Sequence, residues 1–344
     1  MEDFYYSSVK GAVYFPSRVY NAYQTFTMFD DKEIARDMGY ANAAGINAFR
    51  LFLSYNYYLE NSMDFFQKID IILELAERKG IRIMPVLFED CGLEFNDKTG
   101  VNRDPYTAVC VRSPGAEIEH DRERFSEVIP YLKEFMDRYR DDDRLLAIEI
   151  MNEPHIEKGN LEFARFIAEY VFDQKGIVPL TMGCISLRDN LYFADLLDIY
   201  EFHDNFPSDT KDFRKELEYA KHLESVIGKP CWITEWQRLR EGGPGWGKAD
   251  IPDEHKVPCL ASLADIISEV GIGSFFWSLM VKPAYLPEQR INGTINGLFH
   301  EDGLVYSRED FSKISGKNEE VKEYPYPPKW YKDDLELKGN SIKM

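Results

Sequence analysis

Short, β-rich apolar runs alternate eight times with longer segments of helical period, and this alternation constrains the fold more than any other feature of the chain. The runs lie near residues 9–16, 46–54, 81–89, 145–151, 178–185, 197–203, 230–235 and 272–279. The intervening helices are expected near 32–44, 63–79, 121–140, 160–174, 188–195, 211–227 and 255–270, with a last one near 307–315. In the 63–79 segment Phe66, Ile69, Ile72, Leu73 and Ala76 recur at three- and four-residue steps, and Lys79-Gly80 closes it with a basic last turn and a glycine cap. Strands that alternate with helices belong to a parallel sheet, and strands this continuously apolar are covered on both faces. Eight such units favour a closed barrel over an open doubly wound sheet, and no glycine-rich phosphate loop follows the first strand. At 344 residues the chain lies within the range of such barrels. The expected architecture is a single α/β (β/α)8 TIM barrel over residues 1–316. An irregular extension, 317–344, packs on the barrel or is partly disordered.

Charge narrows the partners. Sixty acidic against 41 basic residues leave a formal net charge of −19, which repels phosphate backbones and anionic membrane surfaces. Nucleic acid and membrane are therefore not expected as partners, whereas a neutral ligand suits the charge. The five cysteines, Cys91, Cys110, Cys184, Cys231 and Cys259, are odd in number and form no CxxC, which reads as free thiols in a reducing compartment. The start, MEDFYYSSVKG, lacks a basic stretch followed by an apolar one, and no window approaches ~20 apolar residues. A cytoplasmic location is expected.

In a barrel of this kind the chemistry sits where the strands end. Those ends carry Arg50, then Glu89-Asp90, then Asn152-Glu153-Pro154-His155, then His203-Asp204-Asn205, then Glu235-Trp236-Gln237, with Trp277 in the eighth strand. No histidines are spaced as metal ligands, and neither metal nor cofactor is expected. Glu153 and Glu235 end strands four and seven, which face one another across an eight-stranded mouth. Two opposed carboxylates suit glycosidic cleavage: one, protonated, donates to the leaving oxygen, and the other, ionised, attacks the anomeric carbon.

IEIMNEPH at 148–155 and WITEWQ at 232–237 resemble the two signatures of glycoside hydrolase clan A, most closely those of family 5. The resemblance covers roughly residues 9–315, including GLFHEDGLVYSREDF at 297–311, which resembles the family's closing loop and helix. It implies a retaining hydrolase with Glu153 as acid/base and Glu235 as nucleophile. Asn152 would bond the sugar 2-hydroxyl, Arg50 would hold the nucleophile ionised, and Trp277 would floor the −1 subsite. The implied substrate is a β-linked gluco- or manno-oligosaccharide. Two positions depart from the family: LFEDCG places Glu89 and Asp90 where a strand-three histidine is usual, and His203-Asp204-Asn205 stands for the usual His-x-Tyr.

Around this core, His203, Asp90, Asn205, Trp236 and Trp246 are candidate substrate contacts. Trp246 lies in the glycine-rich loop 240–250, which follows strand seven and reads either as an overhanging lid or as a plain connection. Glu89 and Asp90 stand between substrate contact and loop structure. By strand alternation Trp236 should point away from its neighbour Glu235. Tyr55, Tyr57 and Tyr58 form a further aromatic cluster after strand two, and Glu149 is expected at the barrel wall or in an ion pair. A transglycosylase on the same site and an inactive carbohydrate-binding protein remain alternatives to a hydrolase.

Overall fold

The computed structural model describes residues 8–156, 159–240, 252–284, 286, 289–290 and 293–342. All eight expected strands form: β1 (Lys10–Tyr14), β2 (Ala48–Phe52), β3 (Arg82–Val86), β4 (Ile148–Asn152), β5 (Leu180–Gly183), β6 (Tyr200–Asn205), β7 (Cys231–Gln237) and β8 (Gly273–Phe276). They make one parallel sheet in the order β5-β4-β3-β2-β1-β8-β7-β6. β1 pairs with β8 through Gly11 and Phe275, which curls the sheet on itself. The remaining seam, between β5 and β6, is stitched by Asp198 N–H to Leu180 O at 2.9 Å and Thr181 Oγ1 to Ile199 O at 3.2 Å. The result is a nearly closed (β/α)8 barrel.

The helices depart from the sequence expectation where proline or a short connection intervenes. The segment expected at 121–140 divides into a 3-10 turn, Phe125–Val128, and an α-helix, Ile129–Tyr139, with Pro130 in its first turn, where no N–H partner is needed. The helix expected from 255 starts at Ala261, because Pro258 disfavours helical geometry in the residue before it. The element expected at 188–195 is only a 3-10 turn, Asp189–Phe193. The extension is not irregular throughout: Lys329–Ile342 is helical, entered from Pro327-Pro328, with Trp330 and Tyr331 buried against the barrel.

The interior is divided by polarity. At the amino ends of the strands Val9, Met84, Leu146, Ile199, Trp232 and Phe275 form an apolar plug. Gly11 is required there, since a Cβ at that position would come within 2.2 Å of the Phe275 ring. Above the plug the interior turns polar, with Arg50, Glu149 and Glu201 wholly buried. The apolar stripe of each helix packs on the outer face of the strands, for example Phe65, Phe66, Ile69, Ile72, Leu73 and Ala76 of helix Ser62–Glu77. Polar side chains are thus directed to the carboxyl-end mouth.

Candidate active site

A cavity of about 280 Å³ opens at the carboxyl ends of the strands, near the lower limit of ordinary small-molecule sites. Glu153, Glu235, Asn152, Asn205, Asp90 and Trp277 all line it. Glu153 follows β4 with φ of 43°, a left-handed conformation that a residue with a Cβ adopts at a cost. Its N–H is held by Gly183 O at 2.7 Å, so the turn aims its carboxylate over the mouth. Glu235 lies within β7, and strand alternation turns Glu235 and Gln237 inward and Trp236 outward.

Arg50 organises the floor. Its guanidinium donates to both oxygens of Glu149 at 2.6 and 2.5 Å, to Glu235 Oε1 at 2.6 Å and to Asn152 Oδ1 at 2.6 Å. Glu149 therefore takes the ion-pair role. Gly183 leaves the space for it, since a Cβ there would meet Glu149 Oε1 at 2.2 Å. The second Glu235 oxygen accepts from Asn205 Nδ2 at 2.9 Å, and Asn205 Oδ1 in turn accepts from Gln237 Nε2 at 2.9 Å. Asn205, where the family usually has tyrosine, thus still donates to the expected nucleophile.

Glu153 is bound on both oxygens. His203 Nδ1 lies 2.6 Å from Oε1, and the Cys91 thiol donates to Oε2 at 3.1 Å. Burial raises the Glu153 carboxyl, but the His203 hydrogen bond and charge outweigh it and pull it down to about 2. In return, although burial works against its charge, His203 is raised by the nearby Glu235 and Glu153 carboxylates. The two share one proton. Glu153, His203 and Glu235 bring donor atoms within 4.8 Å of one another, a spacing that a metal ion spans. The Arg50 guanidinium on Glu235 opposes a second cation there, and the His203–Glu153 bond occupies two of the three donors.

From the sequence Glu89 stands between substrate contact and loop structure. It is 4 % exposed, accepts from Asn152 Nδ2 at 2.9 Å and Cys91 N–H at 2.8 Å, and burial pushes it up to about 8. Asp90 lines the cavity but is committed to loop structure. It accepts from the His155 backbone at 2.8 Å and from the Asn160 amide, with Arg112 at 3.4 Å.

Several expected substrate contacts are displaced by the fold. Arg50 is fully buried and bonds Glu235, and His203 is 7 % exposed and contacts both Glu153 and Glu235; neither lines the cavity. Trp236 packs on Phe276 with ring centroids 5.9 Å apart, facing Ala264 and Ile267 of helix Ala261–Val270, because it points outward from β7. Tyr55 and Tyr58 are absorbed into packing on Tyr131 and Tyr57 into packing on Phe26, with the Tyr55, Tyr57 and Tyr58 hydroxyls on Glu127 O, Asp64 and Glu134. Trp246 and the 240–250 loop, apart from residue 240, lie outside the described residues. Cys91 and Gln237 line the cavity in addition to the expected contacts. Gln237 was legible as the next inward position after Glu235, whereas Cys91 reaches Glu153 only through the loop after β3.

Residues 16–172 match the family model described as cellulase (glycosyl hydrolase family 5), so the resemblance to that family holds. No curated protein matches. Among solved structures, the exo-beta-1,4-mannosidase Op5Man5 from Opitutaceae bacterium strain TAV5 superposes with a TM-score of 0.64 at 14% identity over 89% of this chain. The chain spans 58% of that protein's length. A glycoside hydrolase family 5 mannosidase from Rhizomucor miehei gives a TM-score of 0.56 at 14% identity, covering 96% of this chain and 93% of its own. An endo-1,4-beta-D-mannanase from Thermotoga petrophila RKU-1 gives 0.53 at 15% identity, covering 78% and 87%. At such identities these likenesses establish the fold. Among the described residues no helix is long and apolar enough to cross a membrane.

Proposed function

We propose that this family 5 glycoside hydrolase cleaves β-linked manno- or gluco-oligosaccharides with retention of anomeric configuration. The observation that carries the reading is the spacing of the two glutamates. The nearest carboxylate oxygens of Glu153 and Glu235, one from each, come within 4.8 Å of one another across one cavity. Retaining pairs stand about 5–5.5 Å apart, whereas an inverting pair needs about 6.5–9.5 Å to admit a water.

The first step breaks the C1–O bond of the glycoside. Glu235, its oxygens held by Arg50 and Asn205, attacks the anomeric carbon. The leaving oxygen takes the proton that Glu153 shares with His203. In the second step Glu153 removes a proton from water, whose oxygen displaces Glu235 and restores the carboxylate. In this reading Asn152, fixed between Arg50 and Glu89, bonds the sugar 2-hydroxyl, and Trp277, which lines the cavity, offers an apolar face for the ring. The reaction is complete with side chains alone.

The test is a panel of aryl β-glycosides assayed with wild type beside Glu235→Ala, following the product anomer by NMR. Turnover by wild type alone, with the β-anomer formed first, is expected. The α-anomer as first product would make the enzyme inverting, and equal activity in the variant would remove Glu235 from the chemistry.

A further inference from the structure

Among the described residues, three loops at one side of the cavity are tied together into a wall. Asn21 and Gln24, after β1, donate to backbone carbonyls of the β3 loop: Gln24 Nε2 to Asn102 O at 2.8 Å and Gly100 O at 3.0 Å, and Asn21 Nδ2 to Gly100 O at 3.2 Å. Lys282, after β8, is buried and donates to Pro16 O at 2.9 Å and Val19 O at 3.3 Å of the β1 loop. Arg290 closes the ring. Its guanidinium donates to Ala108 O of the β3 loop and to Ala284 O at 3.3 Å, and lies 5.2 Å above the Tyr20 ring. The C-terminal helix adds an outer tie, an ion pair from Lys338 to Asp104. Residues on both sides of the Arg290–Ala108 bridge, Gln289 and Cys110 among them, line the cavity.

The position of this wall decides what fits. β3 and β8 flank β1 and β2, so a bridge between their loops spans the β1–β2 side of the mouth. Trp277, expected to floor the −1 subsite, follows β8 on this side and is seated against Phe15 and Phe52 at the ends of β1 and β2. With Trp277 as its floor, the sugar attacked by Glu235 lies on this side and points its far end at the wall. A longer chain needs an exit beyond that sugar, and the bridge stands across that path. The wall is held by buried cationic and amide donors bonded to backbone carbonyls, so opening it would strand those groups without partners.

We infer that the cavity is a dead end on the glycone side, so that the enzyme removes single sugars from the non-reducing end of short β-linked manno- or gluco-oligosaccharides. This inference rests on the retaining glycosidase reading above. Arg290 is the positioning residue of the closure, acting through the β3 and β8 loops and not on the substrate.

The experiment uses the full chain with β-1,4-manno- and gluco-tetraoses labelled at the reducing end, and the same tetraoses capped by a 4,6-O-benzylidene group at the other end. Labelled trisaccharide as sole initial product, with the capped tetraose intact, is the expected result. Labelled disaccharide among the initial products, labelled monosaccharide appearing first, or cleavage of the capped tetraose at a similar rate overturns it. Turnover of aryl β-glycosides with neither tetraose cleaved overturns it too, while leaving the glycosidase reading intact; no turnover of any substrate overturns that reading itself. Arg290→Ala is expected to cleave the capped tetraose at least about tenfold faster than wild type does. If that variant does not fold, the capped and uncapped comparison in wild type still decides.

Discussion

His203 Nδ1 lies 2.6 Å from Glu153 Oε1, and the pair holds a single proton between imidazole and carboxylate. With Glu153 pulled down to about 2 and His203 raised above its ordinary 6.5, the proton rests on the imidazole and passes to Glu153 along this bond. Activity requires that the pair keep its proton, so the alkaline limb of kcat/KM should lie above pH 6.5. In His203→Asn only Glu153 remains to hold it, and the limb should move to lower pH. Superimposable pH profiles of variant and wild type would remove His203 from the proton inventory.

Glu235→Ala should lower kcat by on the order of 10⁴-fold or more, because no covalent intermediate forms. Added azide should restore part of the turnover with an activated aryl glycoside, as a small anion fills the vacated space and attacks C1. The product to isolate is the α-glycosyl azide; its absence at high azide, with rate unrescued, speaks against the nucleophile assignment.

Arg50→Lys should be severe despite conserving charge. Arg50 is fully buried and makes four bonds, to Glu149, Glu235 and Asn152, in a planar fork that an ammonium does not reproduce. Leaving part of this cluster unpaired should cost roughly 3–5 kcal/mol of stability by denaturant titration. A loss below about 1 kcal/mol would mean that the cluster is not the electrostatic anchor described.

Glu89 gives the stability a pH dependence of definite sign. Burial raises it from 4.5 to about 8, so between those values the folded chain holds a proton that the unfolded chain has released. Stability present below pH 4.5 is therefore lost as pH rises toward 8. Glu89→Gln keeps the shape without the titration. Its melting temperature should decline less between pH 5 and 8 than that of wild type, by an amount corresponding to at most a few kcal/mol. Parallel melting curves across this range would contradict the assignment.

Trp277→Ala should act on binding. The ring lines the cavity and is seated against Phe15 and Phe52, with centroids 6.1 and 6.5 Å away. Removing it should raise KM by roughly tenfold with a smaller change in kcat. A kcat loss with KM unchanged would instead place Trp277 in transition-state stabilisation.

Most of this arrangement was legible from local pattern. Strand runs, helical periods and polar strand ends located the barrel, Glu153 and Glu235, and alternation alone turned Trp236 away from the mouth. Periodicity misjudged the short turn at Asp189–Phe193 and the helix Lys329–Ile342, where a connection's length or packing against the barrel overrides it. The tyrosines at 55, 57 and 58 look like a mouth cluster in one dimension and are core in three.

The sequence by itself determined the eightfold alternation, the inward or outward sense of each strand residue, and the two opposed glutamates, because these depend on periods of two and 3.6 residues. Tertiary structure alone decided that Cys91 and His203 bracket Glu153, that Arg50 spends its bonds on Glu149, Glu235 and Asn152, and that Arg290 meets Ala108 across 182 positions of chain. Those contacts join strands and loops distant in sequence, and their partners are set by how the strand order brings strand ends together, which no local pattern encodes.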